Sequence, residues 1–215
     1  MASVILIFGC AKEEARSPER AQISQTADKL PAAALQQEIK AQISKEMSLL
    51  VADFDSGQKP NNLGGDFGTW DKDSSDPTMY IRMSFNTANA KDETGFCLRL
   101  DYDIDSPNPA YNGFWMKLEN VDLRPYRKLA FELKGDRASG YTSRFKLEMK
   151  NKKGEIGKYI VTDVSGAWQA ISIDLEKFKD ITDWSDMAEL VIVFDDINST
   201  QKVGTIYIDN VKFTN

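Results

Sequence analysis

The hydrophobic pattern changes character once along the chain, near residue 50. Upstream, Leu35, Ile39, Ile43 and Met47 recur every fourth residue among Gln, Glu and Lys. That narrow apolar stripe predicts a short amphipathic helix. Downstream the period falls to two. Alternating runs at 51–54, 79–85, 96–104, 113–119, 128–134, 144–150, 158–162, 168–174, 189–195 and 205–213 predict strands. Turn-forming residues separate them, including Asn62 to Gly65, Ser106 to Pro109 and Asn151 to Gly154. Many short strands with such punctuation predict an all-β fold, an antiparallel sandwich or jelly roll.

The closing run shows how much local detail the pattern carries. Ile206 and Ile208 alternate with Tyr207 and Asp209, the alternation slips at Asn210, and Val211 and Phe213 resume it. A slip of one residue predicts a bulge. Asp209 stands in mid-strand, where a carboxylate needs a partner.

Composition narrows the chemistry. The chain has 215 residues, a formal net charge of -6 and no histidine. The negative balance and the lack of a dense Lys/Arg cluster argue against nucleic acid as a partner. Without histidine, Ser-His-Asp and Cys-His catalysis and the commonest zinc sites are excluded. Two cysteines, Cys10 and Cys97, make no disulfide framework. Three segments follow: 1–10 as part of a secretion signal, 11–50 as a polar tether with the helix, and 51–215 as the β domain.

The apolar run from Val4 to Gly9 ends at Cys10, and Ile7-Phe-Gly-Cys10 resembles the lipobox of bacterial lipoproteins. The resemblance implies lipidation at Cys10, contact with a membrane only through that anchor, and a place on the bacterial cell envelope. The alternative is an apolar N-terminus that a cysteine follows by chance.

Further blocks fall in a familiar order. Asp53-Phe-Asp-Ser-Gly57, Gly68-Thr-Trp70, Asp122-Leu-Arg-Pro-Tyr-Arg-Lys-Leu-Ala-Phe-Glu-Leu-Lys-Gly135, Trp168 with Ile171, Ile173, Leu175 and Phe178, and Gly204-Thr-Ile-Tyr-Ile-Asp-Asn-Val-Lys-Phe213 are similar to the galactose-binding-like jelly rolls. That superfamily includes carbohydrate-binding modules and complex I intermediate-associated assembly factors. The resemblance implies non-catalytic binding of a glycan or polysaccharide, or else a protein partner in an assembly role. It also implies a structural calcium where the first and last strands meet, held by Asp53, Asp55 and Asp209. Against calcium stands the ordinary use of such carboxylates, as turn caps and ion-pair partners.

Strand parity supplies candidates for the ligand. Phe114, Met116 and Leu118 share one face, which leaves Trp115 on the other. The same parity turns Arg99, Arg144, Glu148 and Tyr159 outward, and Tyr111 precedes the Trp115 strand at its rim. Rings stack on the C–H face of a sugar while ionic groups fix its hydroxyls. The alternative is a solvated outer face with ion pairs. A third reading, a glycosidase, rests on Asp101, Asp103 and Asp105, whose alternate spacing places neighbouring carboxylates about 6.5–7 Å apart on one face.

Overall fold

The computed structural model describes residues 34, 36, 37, 48–91 and 95–215. The chain divides into two compact units, Met1–Lys45 and Glu46–Asn215. Of the expected helix, Ala34, Gln36 and Gln37 are described, and all are helical. Cys10 lies outside the described residues.

The second unit is a sandwich of two antiparallel sheets. Its strands are β1 (Leu49–Ala52), β2 (Phe67–Asp71), β3 (Tyr80–Asn86), β4 (Cys97–Asp103), β5 (Tyr111–Val121) and β6 (Lys128–Gly135). Then come β7 (Phe145–Asn151), β8 (Ile156–Val161), β9 (Gln169–Asp174), β10 (Met187–Asp195) and β11 (Val203–Thr214). The six-stranded sheet runs β3-β4-β11-β6-β9, with β1 on the far half of β11. The five-stranded sheet runs β2-β5-β10-β7-β8.

Alternation decides which side of each strand enters the core. In β5, Phe114, Met116 and Leu118 are buried; in β4, Leu98, Leu100 and Tyr102; in β11, Ile206 and Ile208. The slip at Asn210 is a bulge. Asn210 has a φ of 52°, and the register with β6 shifts between Asp209 and Lys212. Val211 and Phe213 thereby return to the core. First and last strands are neighbours, with Leu49 opposite Phe213.

The two sheets meet through aromatic pairs. Tyr102 of β4 stacks on Phe194 of β10 with centroids 4.0 Å apart and planes 7° from parallel. The Tyr102 hydroxyl accepts from Thr142 N at 2.7 Å and donates to Gln201 O at 3.3 Å. At one end Phe67 of β2 receives Phe54, Phe85 and Phe114 within 5.8–6.2 Å. That cluster anchors the edge strand β2, which alternation alone did not predict.

Tyr102→Phe keeps the ring stack but leaves the buried Thr142 N–H without its acceptor. An unsatisfied buried donor costs about 1–3 kcal/mol. Urea denaturation should show a loss of that size at an unchanged m value.

Candidate functional site

The outer face of the five-stranded sheet carries three aromatic side chains that the core does not use. Phe67 and Thr69 of β2 face inward, so Gly68 and Trp70 face outward, and β5 puts Tyr111, Gly113, Trp115 and Lys117 on that same side. The register pairs Gly68 with Trp115 and Trp70 with Gly113. Each indole therefore lies against a glycine of the neighbouring strand. A Cβ on Gly113 would stand 2.9 Å from the Trp70 ring and 2.3 Å from Ile192 O; one on Gly68 would stand 3.1 Å from the Trp115 ring. Glycine opposite an aromatic residue lets the ring cover the sheet at close range.

Tyr111 completes the group. It is 42% exposed and meets Trp70 edge to face at 5.8 Å. Lys117 and Lys59 bring their ammonium groups 5.4 and 5.9 Å from the Trp115 ring centroid. Trp70, Trp115, Lys117, Lys150, Glu189 and Val191 line a shallow hollow of about 310 Å³. Val191 forms part of its lining, and it and Val193 are buried although they point away from the core.

An ionic rail crosses the strands beside the rings. Lys117 bonds Glu189, Glu189 meets Lys150 at 3.5 Å, and Lys150 reaches Glu148 at 4.0 Å. Glu148 meets Lys146 at 3.3 Å, and Lys146 reaches Asp195 at 3.5 Å. Every charge in the rail has an opposite neighbour, so the face offers donors and acceptors with little net field. Burial pushes the Glu189 carboxyl up, but Lys117 and Lys150 outweigh it and hold the group below its ordinary value.

The residues expected at the site do not all gather here. Trp115, Tyr111 and Glu148 share the face; Trp115 and Glu148 stand on either side of Val191 in one cross-strand row. Arg144 lies just before β7, and its guanidinium donates to Asn198 O at 2.7 Å and Ile197 O at 3.0 Å, so it clamps a loop. Tyr159 points inward, contrary to the parity expectation. It pairs with the buried Leu147 and packs on Phe178 at 5.9 Å.

Arg99 faces outward as expected, but from the six-stranded sheet, so it cannot share a ligand with Trp115. There it donates to Asp101 at 2.7 Å and to the Tyr207 hydroxyl at 3.2 Å. Tyr207 in turn donates to Asp136 at 3.1 Å, and Thr205 donates to Asp101 at 2.5 Å. This network satisfies itself, and Tyr207 is only 2% exposed. The Tyr207 ring is therefore closed to a sugar.

The same contacts bear on the glycosidase reading. Burial raises Asp101, yet the Arg99 and Thr205 hydrogen bonds bring it below the ordinary carboxylate value. Asp103 accepts from Asp105 N at 2.9 Å and shapes a turn. Asp101 is thus an ion-pair partner and Asp103 a turn former.

The strand-end carboxylates likewise act on the backbone. Asp53 accepts from Asp55 N at 3.2 Å and Asn62 Nδ2 at 2.9 Å. Asp209 accepts from Asn210 N at 2.8 Å and Lys91 N at 3.3 Å. Among the described residues no three His, Cys, Asp or Glu side chains form a group that could hold a metal ion. A larger hollow of about 500 Å³ lies elsewhere, between Tyr126 and Trp184. Its rings pack on Phe213 and Phe178, and its Arg124 is held by Asp122 at 2.7 Å.

The sequence model of the family described as carbohydrate binding domain 30 matches residues 66–215. No curated protein matches the chain. Among solved structures, the family 11 carbohydrate-binding module of a cellulosomal cellulase of Clostridium thermocellum superposes with a TM-score of 0.56 at 17% identity. That match covers 78% of this chain and 94% of the module. The same Clostridium thermocellum module, in complex with a β-1,3-1,4-mixed-linked tetrasaccharide, gives a TM-score of 0.57 at 16% identity, covering 78% and 95%. An exo-β-agarase matches with a TM-score of 0.57 at 17% identity over 77% of this chain and 25% of the enzyme.

Because Glu189 is held below 4.5, it stabilises the fold above its unfolded pKa, and that contribution is lost as pH falls through the lowered value. On acidification below about pH 4.5 the wild type should lose melting temperature faster than Glu189→Gln. Parallel curves would mean the rail contributes nothing to stability.

Proposed function

Because the chain belongs to the carbohydrate binding domain 30 family, whose model spans residues 66–215, we propose that its glycan lies on the outer face of the five-stranded sheet, across Trp70, Trp115 and Tyr111. Carbohydrate binding by a β-sandwich module is the family function. The assignment of the face and of the ligand class is our reading. One observation carries it: three aromatic rings that the core does not use stand on one face, two of them, Trp70 and Trp115, lining a hollow.

The physical roles divide cleanly. The rings supply flat apolar surface for the axial C–H groups of a pyranose. The rail supplies charged donors and acceptors for hydroxyls, each such hydrogen bond contributing about 1.5–3 kcal/mol before desolvation. Its charges are already paired among themselves, so the fitting ligand is an uncharged polyol. A uronic or sulfated chain would bring charge with no unpaired counter-charge waiting. A β-linked glucan, flat and neutral, meets both requirements, and the mixed-linked tetrasaccharide held by the Clostridium thermocellum module is the first ligand to try.

Affinity electrophoresis or calorimetry with mixed-linkage β-glucan tests the reading. Trp70→Ala and Trp115→Ala should each weaken binding at least tenfold, about 1.4 kcal/mol, with little change in melting temperature. Arg99→Ala, on the other sheet, should bind like the wild type. Loss of binding in Arg99→Ala with retention in both tryptophan variants would move the site to the six-stranded sheet.

A further inference from the structure

Behind the outward-facing pair Trp70 and Tyr111 stand the next residues of the same strands, Asp71 and Asn112. Both face the interior, and they are direct partners in the β2–β5 register. Such partners have Cβ atoms about 4.5–5.5 Å apart. Each contributes a buried side-chain oxygen, Asp71 Oδ1 and Asn112 Oδ1, for which no hydrogen-bond partner is found. Two orphaned acceptors side by side are a costly arrangement, since each forfeits a hydrogen bond it had in water.

The amide cannot be turned to relieve it. Asn112 Nδ2 donates to Tyr80 O at 2.7 Å and to Asp103 O at 2.9 Å, both in the opposite sheet. Reversing the amide would set its oxygen against two carbonyls. Asn112 is fully buried, so the missing donor has to come from the interior. A carboxylic acid is the donor chemistry present at the facing position.

We propose that one proton joins Asp71 to Asn112, the neutral carboxyl donating to Asn112 Oδ1, and that this latch holds Trp70 and Tyr111 in place for the glycan. The latch ties the edge strand β2 to β5, and through Asn112 to β3 and β4. Its second half, the positioning of the rings, rests on the reading of that face as the glycan platform.

The surroundings suit a neutral acid. Burial raises the Asp71 carboxyl, and the Ile81 backbone N–H lowers it by less, so the net shift is upward. The titratable groups on neighbouring elements are directed elsewhere. Lys72 donates to Pro109 O, and the Tyr102 hydroxyl serves Thr142 N and Gln201 O. Tyr80 and Asp103 lie on the outer side of the six-stranded sheet, where Arg82 covers the Tyr80 ring, and Tyr111 lies on the outer side of its own. A raised folded value means stability that is complete below the unfolded pKa and is lost as pH rises through the folded one. That is the opposite sense to Glu189, so the two effects separate on the pH axis.

The test compares wild type with Asp71→Asn, whose amide can donate to Asn112 Oδ1 at any pH. The carboxyl carbon of Asp71, assigned by its loss in the variant, should titrate above the ordinary carboxylate midpoint of about 3.9. In melts from about pH 4 to about pH 8, Asp71→Asn should gain on the wild type as pH rises. A carboxyl carbon that titrates at or below the ordinary midpoint, or a variant destabilised equally at every pH, would overturn the latch. For the binding half, wild-type affinity for the mixed-linked tetrasaccharide should fall with rising pH while that of the variant stays level. Opening the latch in about two-thirds of molecules would lower affinity about threefold. Level binding in both proteins, with the expected melts, would overturn the positioning role alone. Trp115→Ala at full affinity would instead mark the platform reading as the one that failed.

Discussion

The antiparallel register of β2 against β5 is the constraint on which the functional face depends. Because side chains alternate with a period of two, the register that buries Phe67, Phe114 and Met116 also fixes what stands on the outside. It sets Gly68 opposite Trp115 and Gly113 opposite Trp70, so each indole has room to lie down. A slip of one residue in β2 would bury Trp70 and expose Phe67. The aromatic cluster around Phe67 therefore secures the fold and the platform at once.

The two outer faces of the sandwich treat polar groups differently. On the six-stranded sheet, Arg99, Asp101, Thr205, Tyr207 and Asp136 complete one another's hydrogen bonds, and Tyr207 is covered. On the five-stranded sheet the charges pair along a rail while the rings beside it stay accessible. A saccharide needs open apolar rings and polar groups within reach together. The second face combines them around Trp70, Trp115 and the rail.

Sequence alone carried the fold further than the site. Alternation located every strand except β2, and the slip at Asn210 located the bulge in β11. The strand β2 escaped because Phe67–Asp71 is short, holds a glycine, and shows no clean alternation. Trp70 was therefore seen as part of a motif but not as a ring on the surface. Trp115 was legible because Phe114, Met116 and Leu118 flank it at unambiguous spacing. Tyr159 was not, since Tyr159, Ile160 and Val161 are consecutive apolar residues and only pairing with Leu147 settles the parity. Arg99 shows a different limit: parity gives inside or outside, but not which of two sheets the outside belongs to. Glu189 and Lys150 joined the site through the β5-β10-β7 order, which no local pattern encodes.

Nuclear magnetic resonance mapping during titration with the mixed-linked tetrasaccharide tests the platform most directly. The account predicts that the indole N–H signals of Trp70 and Trp115 move first, together with the amides of Val191 and Val193, while Arg99, Asp101 and Tyr207 stay still. Shifts gathered on Arg99, Tyr207 and Glu132, with both indoles unmoved, would contradict it.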